Sequence, residues 1–306
     1  MTIAAPRVTV VVNPTARGGT AGRAAVRAIE RLRGRGASVA IDGGRSLDDT
    51  RRALAAARSD RPEAVVAIGG DGTLRLAVEA LHGSGIALTL IPVGTGNDFA
   101  ASLGLPRDPE AAADLVFDGD LRMIDVGRVR RDDGSVSLFG TIFASGFDSK
   151  VNERANRMRR LQGRARYNAA ILIEFIRLAP VPFALSWVDA DGVAGSSEGR
   201  LLLTAIANTT TYGGGVPIAP DADPGDGLLD LVFVRPASRL RLVRILARAF
   251  SGRHLAFPEV LVQRVREVRL SSPGLTGYAD GDPMGPLPMT VDLLPGALGI
   301  RVPQAG

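Results

Sequence analysis

Ala64-Val65-Val66-Ala67-Ile68-Gly69-Gly70-Asp71-Gly72-Thr73 is the stretch on which the reading of this chain turns. Five apolar residues with no polar alternation describe a strand buried on both faces. The glycines end it, and Leu74, Val78 and Leu81 then recur at helical spacing. A loop so placed suits phosphate. Gly69, Gly70 and Gly72 let the backbone turn tightly and approach a bulky anion. Successive amides form an anion nest that the following helix terminus reinforces. Thr73 either donates its hydroxyl to a ligand or caps the helix. Asp71 does not favour bare phosphate by charge. It either orients a hydroxyl, accepts its proton or works through magnesium, or it is a helix cap.

The same grammar repeats on both sides. Val8 to Val12 reads as a buried strand and runs into Asn13-Pro14-Thr15-Ala16-Arg17-Gly18-Gly19, before a helix over Thr20 to Leu32. A second strand over Val39 to Ile41 and a helix over Leu47 to Arg58 follow. Ile86 to Ile91 is another strand, leading into Pro92-Val93-Gly94-Thr95-Gly96-Asn97-Asp98, and Glu110 to Phe117 is helical. Strand–loop–helix units of this kind predict an α/β sheet, which binds ligands outside the carboxyl ends of its strands. Gly94 and Gly96 permit a second close backbone approach. Thr95, Asn97 and Asp98 offer a donor, a two-way group and an anion, or else cap the helix holding Phe99 and Leu103. Asn13, Thr15 and Gly18-Gly19 form a third rim, or an Asn-Pro turn before a helix. Arg17 or Arg23 neutralises phosphate or is simply solvated. Neither glycine loop reads GxxxxGK[ST] or GxGxxG, and the first 149 residues hold no lysine.

At 306 residues and 45% apolar content the chain is expected to form two domains with substantial cores. The net charge is +5 and the isoelectric point near 10.5, compatible with nucleic acid, anionic lipid or phosphorylated metabolites. Lys150 is the sole lysine, so arginine carries the basicity. Cysteine is absent, which excludes disulfides, thiolate nucleophiles and cysteine metal sites. His82 and His254 are in no zinc-like arrangement. The N-terminus carries no secretion-type pattern and no run reaches the length of a membrane span, so a cytoplasmic protein with peripheral membrane contact is expected.

The pattern changes near Asp125. Ile124 to Val129 and Leu138 to Ala144 open a new sheet, Val151 to Leu178 is mostly helical, and apolar runs follow at Val181–Val188, Leu201–Ala207, Leu228–Val234, Val260–Leu270 and Met289–Leu294. This predicts a strand-rich second domain, with Trp187 in its core. Asp125 is in an apolar strand, where a buried charge needs magnesium, water or Arg128 as partner. Lys150 to Arg177 holds eight basic and two acidic residues, and Arg235 to Arg253 six arginines and no acid. Apolar residues are interspersed in both. Such helices either guide shallow insertion at anionic headgroups or are solvated protein faces. No recognition module or interleaved aromatics support nucleic-acid binding.

With these residues in place, the chain resembles the diacylglycerol kinase catalytic-domain family, which includes sphingosine and ceramide kinases and is related to NAD kinases and phosphofructokinases. The resemblance runs through Asn13-Pro14 with Gly18-Gly19, Gly69 to Thr73 and Pro92 to Asp98. It continues through Gly146-Phe147-Asp148, Asn208, Gly213-Gly214-Gly215, Pro217, Ala219 to Ala222, Asp226-Gly227-Leu228, Asp230 and Asp280-Gly281-Asp282. It covers nearly the whole chain, and the order of the motifs is more diagnostic than any one. It implies an NAD-kinase/diacylglycerol-kinase-like fold. An α/β nucleotide-binding domain over 1–127, completed by 295–306, would precede a β-sandwich lipid-substrate domain over 128–294. It also implies ATP and Mg2+ as cofactors, a lipid alcohol as acceptor, and work at the inner face of the membrane. A homodimer is left open. Asp71 would accept the acceptor's proton or orient its hydroxyl, with fixing the phosphate loop as its alternative. Asp226 and Asp282 would organise magnesium or act in catalysis, Asp125 is a further metal candidate, and Asp148 would read the lipid head. The usual family residue at 282 is Glu. Aspartate, one methylene shorter, is better suited to a water-mediated magnesium contact than to direct hydroxyl activation.

Overall fold

The computed structural model describes residues 5–13, 20–44, 46–158 and 163–304. The chain divides into two compact units, one made of Met1–Val126 with Pro295–Gly306, the other of Gly127–Leu294.

The first unit opens with β1 (Arg7–Val12), α1 (Thr20–Gly34), β2 (Ser38–Gly43) and α2 (Leu47–Asp60). It continues with β3 (Ala64–Gly69), α3 (Asp71–Leu81), β4 (Ala87–Pro92), α4 (Asp98–Ser102) and α5 (Pro109–Asp118), and β5 (Asp120–Arg131) leads out of it. The strands are parallel in the order β4-β3-β1-β2, and Ile300 of the returning terminal segment pairs with Leu88 on the free flank of β4. Every residue of β3 and β4 is buried, as a sheet covered on both faces requires; β3 is apolar throughout and β4 is interrupted only by the buried Thr89. Val8, Val10, Val66, Ile68 and Ile91 pack against Ala21, Ala25, Ala28 and Leu32 of α1 and Ala112, Ala113 and Val116 of α5. Alternation along the strands gives Val65 and Ala67 to the other face. The α1–α5 seam is closed by ion pairs: Arg27 with Asp108 and Glu110, Arg31 with Asp114, and Arg35 with Asp114 and Asp118. These three arginines are thus paired within the unit and have no need of an external anion.

The second unit contains β6 (Val136–Phe139), β7 (Ile142–Gly146), α6 (Phe147–Arg157), α7 (Gly163–Ile176), β8 (Val181–Asp189) and β9 (Ala194–Leu201). These are followed by β10 (Leu203–Ala207), β11 (Leu229–Val234), α8 (Arg239–Ala249), a 3-10 turn (Arg253–Ala256), β12 (Val260–Ser271), β13 (Thr276–Ala279), β14 (Asp282–Pro286) and β15 (Met289–Val302). The order β14-β13-β7-β10-β11-β12 is antiparallel throughout. The start of β15 and β8 both pair with β12, β9 pairs with β8, and β5 with β6. Phe139, Phe143, Phe183, Leu185, Ile206, Leu231, Val268 and Val291 form the core on one face, and Trp187 packs against it as its sequence setting predicts. On the other face, Ala144, Ala205, Val232 and Val234 are covered by Leu242 and Ile245 of α8 and by Phe175 of α7. No helix among the described residues is long and apolar enough to cross a membrane.

Candidate active site

In the first unit Asn13, the loop after β3 and the loop after β4 converge at the carboxyl ends of adjacent parallel strands. Asn13, just past β1, is buried; its amide donates to the Ile68 carbonyl (3.1 Å) and its side-chain amide to Thr73 Oγ1 (2.9 Å). The Val93 amide donates to the Gly69 carbonyl (2.8 Å), which ties the loop after β4 to the loop after β3. Gly70 and Gly94 then meet backbone to backbone. A Cβ on Gly70 would come within 2.9 Å of the Gly94 Cα, and one on Gly94 within 2.7 Å of the Gly70 Cα. No L side chain fits at either position without parting the loops. Gly72 faces open space, as a cradle for a phosphate needs.

Asp71 is the first residue of α3 and caps a different helix. Its carboxylate accepts from the Asn97 amide (2.9 Å) and from the amides of Asp98 and Phe99, the first turn of α4. The cap of α3 itself is Gly70, without a side-chain bond. Asn97 has a left-handed backbone (φ 58°), and its side chain holds the Gly94 amide (2.9 Å) and carbonyl (3.0 Å). Burial, and then the nearby charge of Asp98, raise the proton affinity of Asp71 above the ordinary carboxylate value; the three amides oppose this without reversing it. The result is a carboxylate fixed in place and more basic than one in water. Thr95 is exposed at the loop tip and Asp98 is buried beneath it. Pro14, Thr15, Gly18, Gly19 and Arg17 lie outside the described residues.

Asp125 is a buried tie. Its Oδ1 accepts from the Gly296 amide (2.7 Å), joining β5 to the returning terminal segment. Arg128, offered from the sequence as its counter-ion, instead grips Asp292 through two bonds of 2.7 and 2.9 Å. Strand alternation explains the correction, because residues 125 and 128 lie on opposite faces of β5. A metal role for Asp125 would have to compete with the Gly296 amide.

In the second unit the register Asp282–Ala279, Ala279–Phe143, Phe143–Ile206 and Ile206–Leu231 brings the β14 start and the β11 start to one end of the sheet. Asp226 precedes β11, accepts from the Leu228 amide (2.9 Å) and pairs with Arg264 of β12. Asp230, four residues further on in β11, has its carboxyl pushed up to about 6 by burial, against the pull of Arg264 and with help from Asp226 and Asp221. Asp282 follows the two-residue turn Asp280-Gly281, and Asp280 anchors that turn by accepting from the amides of Gly140 (2.8 Å) and Thr141 (2.9 Å) and from the Thr141 hydroxyl. Asn208 grips the same loop, its side chain donating to the Gly140 carbonyl (2.9 Å).

Asp148 follows the other end of β7, so that strand separates it from the Asp282 turn. It is fully enclosed; Tyr212 donates to its Oδ1 (2.7 Å), its Oδ2 has no partner among the described residues, and burial pushes its carboxyl up to about 6. Sequence reading missed Tyr212 and Arg264. Tyr212 stands directly before three glycines, a signal available in the sequence, whereas nothing local marks Arg264 among the many arginines.

Among the described residues no three acidic or histidine side chains group to hold a metal. The glycine loops and the start of α3, by contrast, offer backbone of the kind that accommodates phosphate.

Comparison with known proteins agrees with this geometry. Residues 7–129 match the family described as diacylglycerol kinase catalytic domain, and residues 141–302 match the YegS C-terminal NAD kinase beta sandwich-like domain. A diacylglycerol kinase of Mycobacterium tuberculosis is 43% identical over 98% of this chain and 96% of its own length. A diacylglycerol kinase of Bacillus subtilis is 29% identical over 73% and 72%. A crystal structure of a diacylglycerol kinase from Bacillus anthracis superimposes with a TM-score of 0.72 at 18% identity, covering 97% of each chain, a likeness of fold. An α/β unit with glycine loops on its strand ends, followed by a β-sandwich, places the chain in the diacylglycerol kinase catalytic-domain family.

Proposed function

We propose that the chain is an ATP- and magnesium-dependent lipid kinase that transfers the γ-phosphoryl group to the hydroxyl of diacylglycerol, giving phosphatidic acid. The observation that carries this reading is the backbone contact of Gly70 with Gly94, locked by Asp71 across the two loops. It makes one cradle at the ends of β3 and β4, of the kind that holds a polyphosphate. Asn13, the glycines 69, 70, 72 and 94, Thr73, Thr95, Asn97 and Asp98 would line it, together with Pro14, Thr15 and Gly18.

Magnesium, when bound, neutralises charge on the phosphates and stabilises the charge that develops during transfer. The protein's own share is placement and proton handling. Asp71 is raised in basicity and pinned by amides, so it orients the acceptor hydroxyl or takes its proton as the new P–O bond forms. Asp226 and Asp282, at one end of the second unit's sheet, would supply negative charge toward magnesium; Asp226 would have to release Arg264 to do so. Asp125 is a weaker metal candidate because its carboxylate serves Gly296. The buried Asp148–Tyr212 pair offers an acceptor for a lipid hydroxyl. The protein would act as a cytoplasmic enzyme, meeting its substrate transiently at the inner membrane face.

The test is radiolabelled ATP with diacylglycerol, sphingosine and ceramide in competing mixed micelles, followed by identification of the labelled lipid. Phosphatidic acid as the main product supports the reading. A labelled sphingosine or ceramide product would move the substrate elsewhere in the family, and no lipid phosphate from any of them would sink it.

A further inference from the structure

Helix α8 shows three different sides. Leu242, Ile245 and Ala249 are buried against the sheet. Leu240, Val243 and Phe250 stand out from it, 64%, 50% and 60% exposed. Arg244 and Arg248 run along the next stripe of the helical repeat, with no carboxylate partner among the described residues. Arg241 is already committed, to Glu259 and to the ring of Phe257.

The end of α7 extends this face. Phe175 packs into the same core as Leu242 and Ile245, and the Arg239 guanidinium donates to the Phe175 carbonyl (2.8 Å). Leu172 and Ile176, one turn apart on the outer side of α7, are 62% and 67% exposed. Two helices that share one buried core and one hydrogen bond thus carry five large exposed apolar side chains. Scattered exposed apolar residues are ordinary; five on two neighbouring helices beside arginines with no carboxylate partner among the described residues are not.

The chemistry narrows the occupant. Residues 235–253 contain no acid, and the acid on α7, Glu174, is buried against Arg154. A second copy of the chain docking through the same face would offer Arg244 and Arg248 no acid from these two helices to pair with. An anionic bilayer offers an apolar layer for the leucines and phenylalanine and phosphates for the arginines, whose long stems lie along the apolar surface.

We propose that the α7–α8 face docks the protein on membranes containing anionic phospholipid, with Leu240, Val243, Phe250, Leu172 and Ile176 entering the acyl boundary and Arg244 and Arg248 holding headgroups. This rests on the lipid-kinase reading and specifies how such an enzyme reaches its substrate. The face is coupled to the candidate lipid site within one unit: α7 packs along α6, whose second residue is Asp148.

The experiment is co-sedimentation of the full chain with phosphatidylglycerol–phosphatidylcholine vesicles and with pure phosphatidylcholine vesicles. It compares wild type, R244E/R248E and L240S/F250S, each checked for an unchanged melting temperature. Wild type should prefer the anionic vesicles. The charge reversal should weaken that partition by roughly twentyfold and the serine pair by about tenfold. Phosphorylation of vesicle-embedded diacylglycerol should fall in step, while turnover of a short-chain diacylglycerol below its micelle concentration is retained. Vesicle binding by both variants equal to wild type overturns the proposal. So does a dimer, seen by sedimentation velocity, that the variants split without changing vesicle binding. An absence of turnover on every lipid would instead refute the kinase reading, with vesicle partition still deciding the surface.

Discussion

Replacing Asp71 by Asn removes the charge that the first amides of α4 hold, while keeping an oxygen for one of them. We expect turnover to fall by about 100-fold or more, as for loss of a positioned acid–base group, with a melting temperature only a few degrees lower. A variant with wild-type kcat would reject any part for Asp71 in the chemistry. The pH profile carries a second signature. Because Asp71 binds its proton more tightly than an ordinary carboxylate, the active, ionised form is lost at higher pH than usual as acidity rises. The acidic limb of kcat/KM should therefore lie above the normal aspartate range and disappear in the Asn variant. Asp148 gives a matching stability test. Its pKa is raised from 3.8 to about 6, so the folded state binds the proton more tightly than the unfolded chain. The contribution of Asp148 to stability is greatest below the lower value and declines as pH rises from about 4 to about 6, by roughly 2–3 kcal/mol, with Asp230 adding a decline of the same sign. Asp148→Asn should flatten that part of the wild-type curve of melting temperature against pH; an unaltered slope would mean that Asp148 ionises freely in the folded protein.

The hairpin joining β13 to β14 shows how one short element sets a candidate site. Asp280 and Gly281 both have positive φ, 51° and 85°, as a two-residue turn between twisted strands demands. The Asp280 carboxylate meanwhile holds the Gly140–Thr141 loop. Asp280→Ala should lower unfolding free energy by about 2 kcal/mol or more, since it strands amide donors and keeps a strained backbone. The milder Asp280→Asn should cut turnover through displacement of Asp282, so that adding Asp282→Asn produces no further loss; multiplied losses would show that Asp280 acts elsewhere. Elements differed in how plainly the sequence announced them. β1, β3 and β4 were legible because a strand covered on both faces is predominantly apolar, with only a threonine breaking the run in β1 and in β4. β9, Ala-Gly-Ser-Ser-Glu-Gly-Arg-Leu, was not, because it pairs only with β8 and is exposed along most of its length. The glycine loops were legible as phosphate binders, but the partner of Asp71 was not: a carboxylate capping a helix 26 residues away leaves no local pattern. The pairing of Arg128 with Asp292 is hidden in the same way, by a separation of 164 residues.

At the scale of the whole molecule, the first unit is built from both ends of the chain. Leu298 and Ile300 are buried in it, and Gly296 satisfies Asp125. Ending the chain at Leu294 would expose the flank of β4 and forfeit about 3–6 kcal/mol of apolar burial. The truncated protein should lose the rise in melting temperature that ATP with magnesium gives the full chain; a retained rise would show that the cradle stands without its last strand.

The same closure has a consequence for biosynthesis. Roughly 200 residues separate β4 from the strand end that covers it, which at ordinary translation speeds is on the order of 10–40 s. For that interval the nascent polypeptide carries an open, largely apolar sheet margin, a template for mispairing. The ribosome thus delivers the phosphate cradle first and the residues that seal its sheet last, and the emerging chain has most need of a chaperone between those two moments.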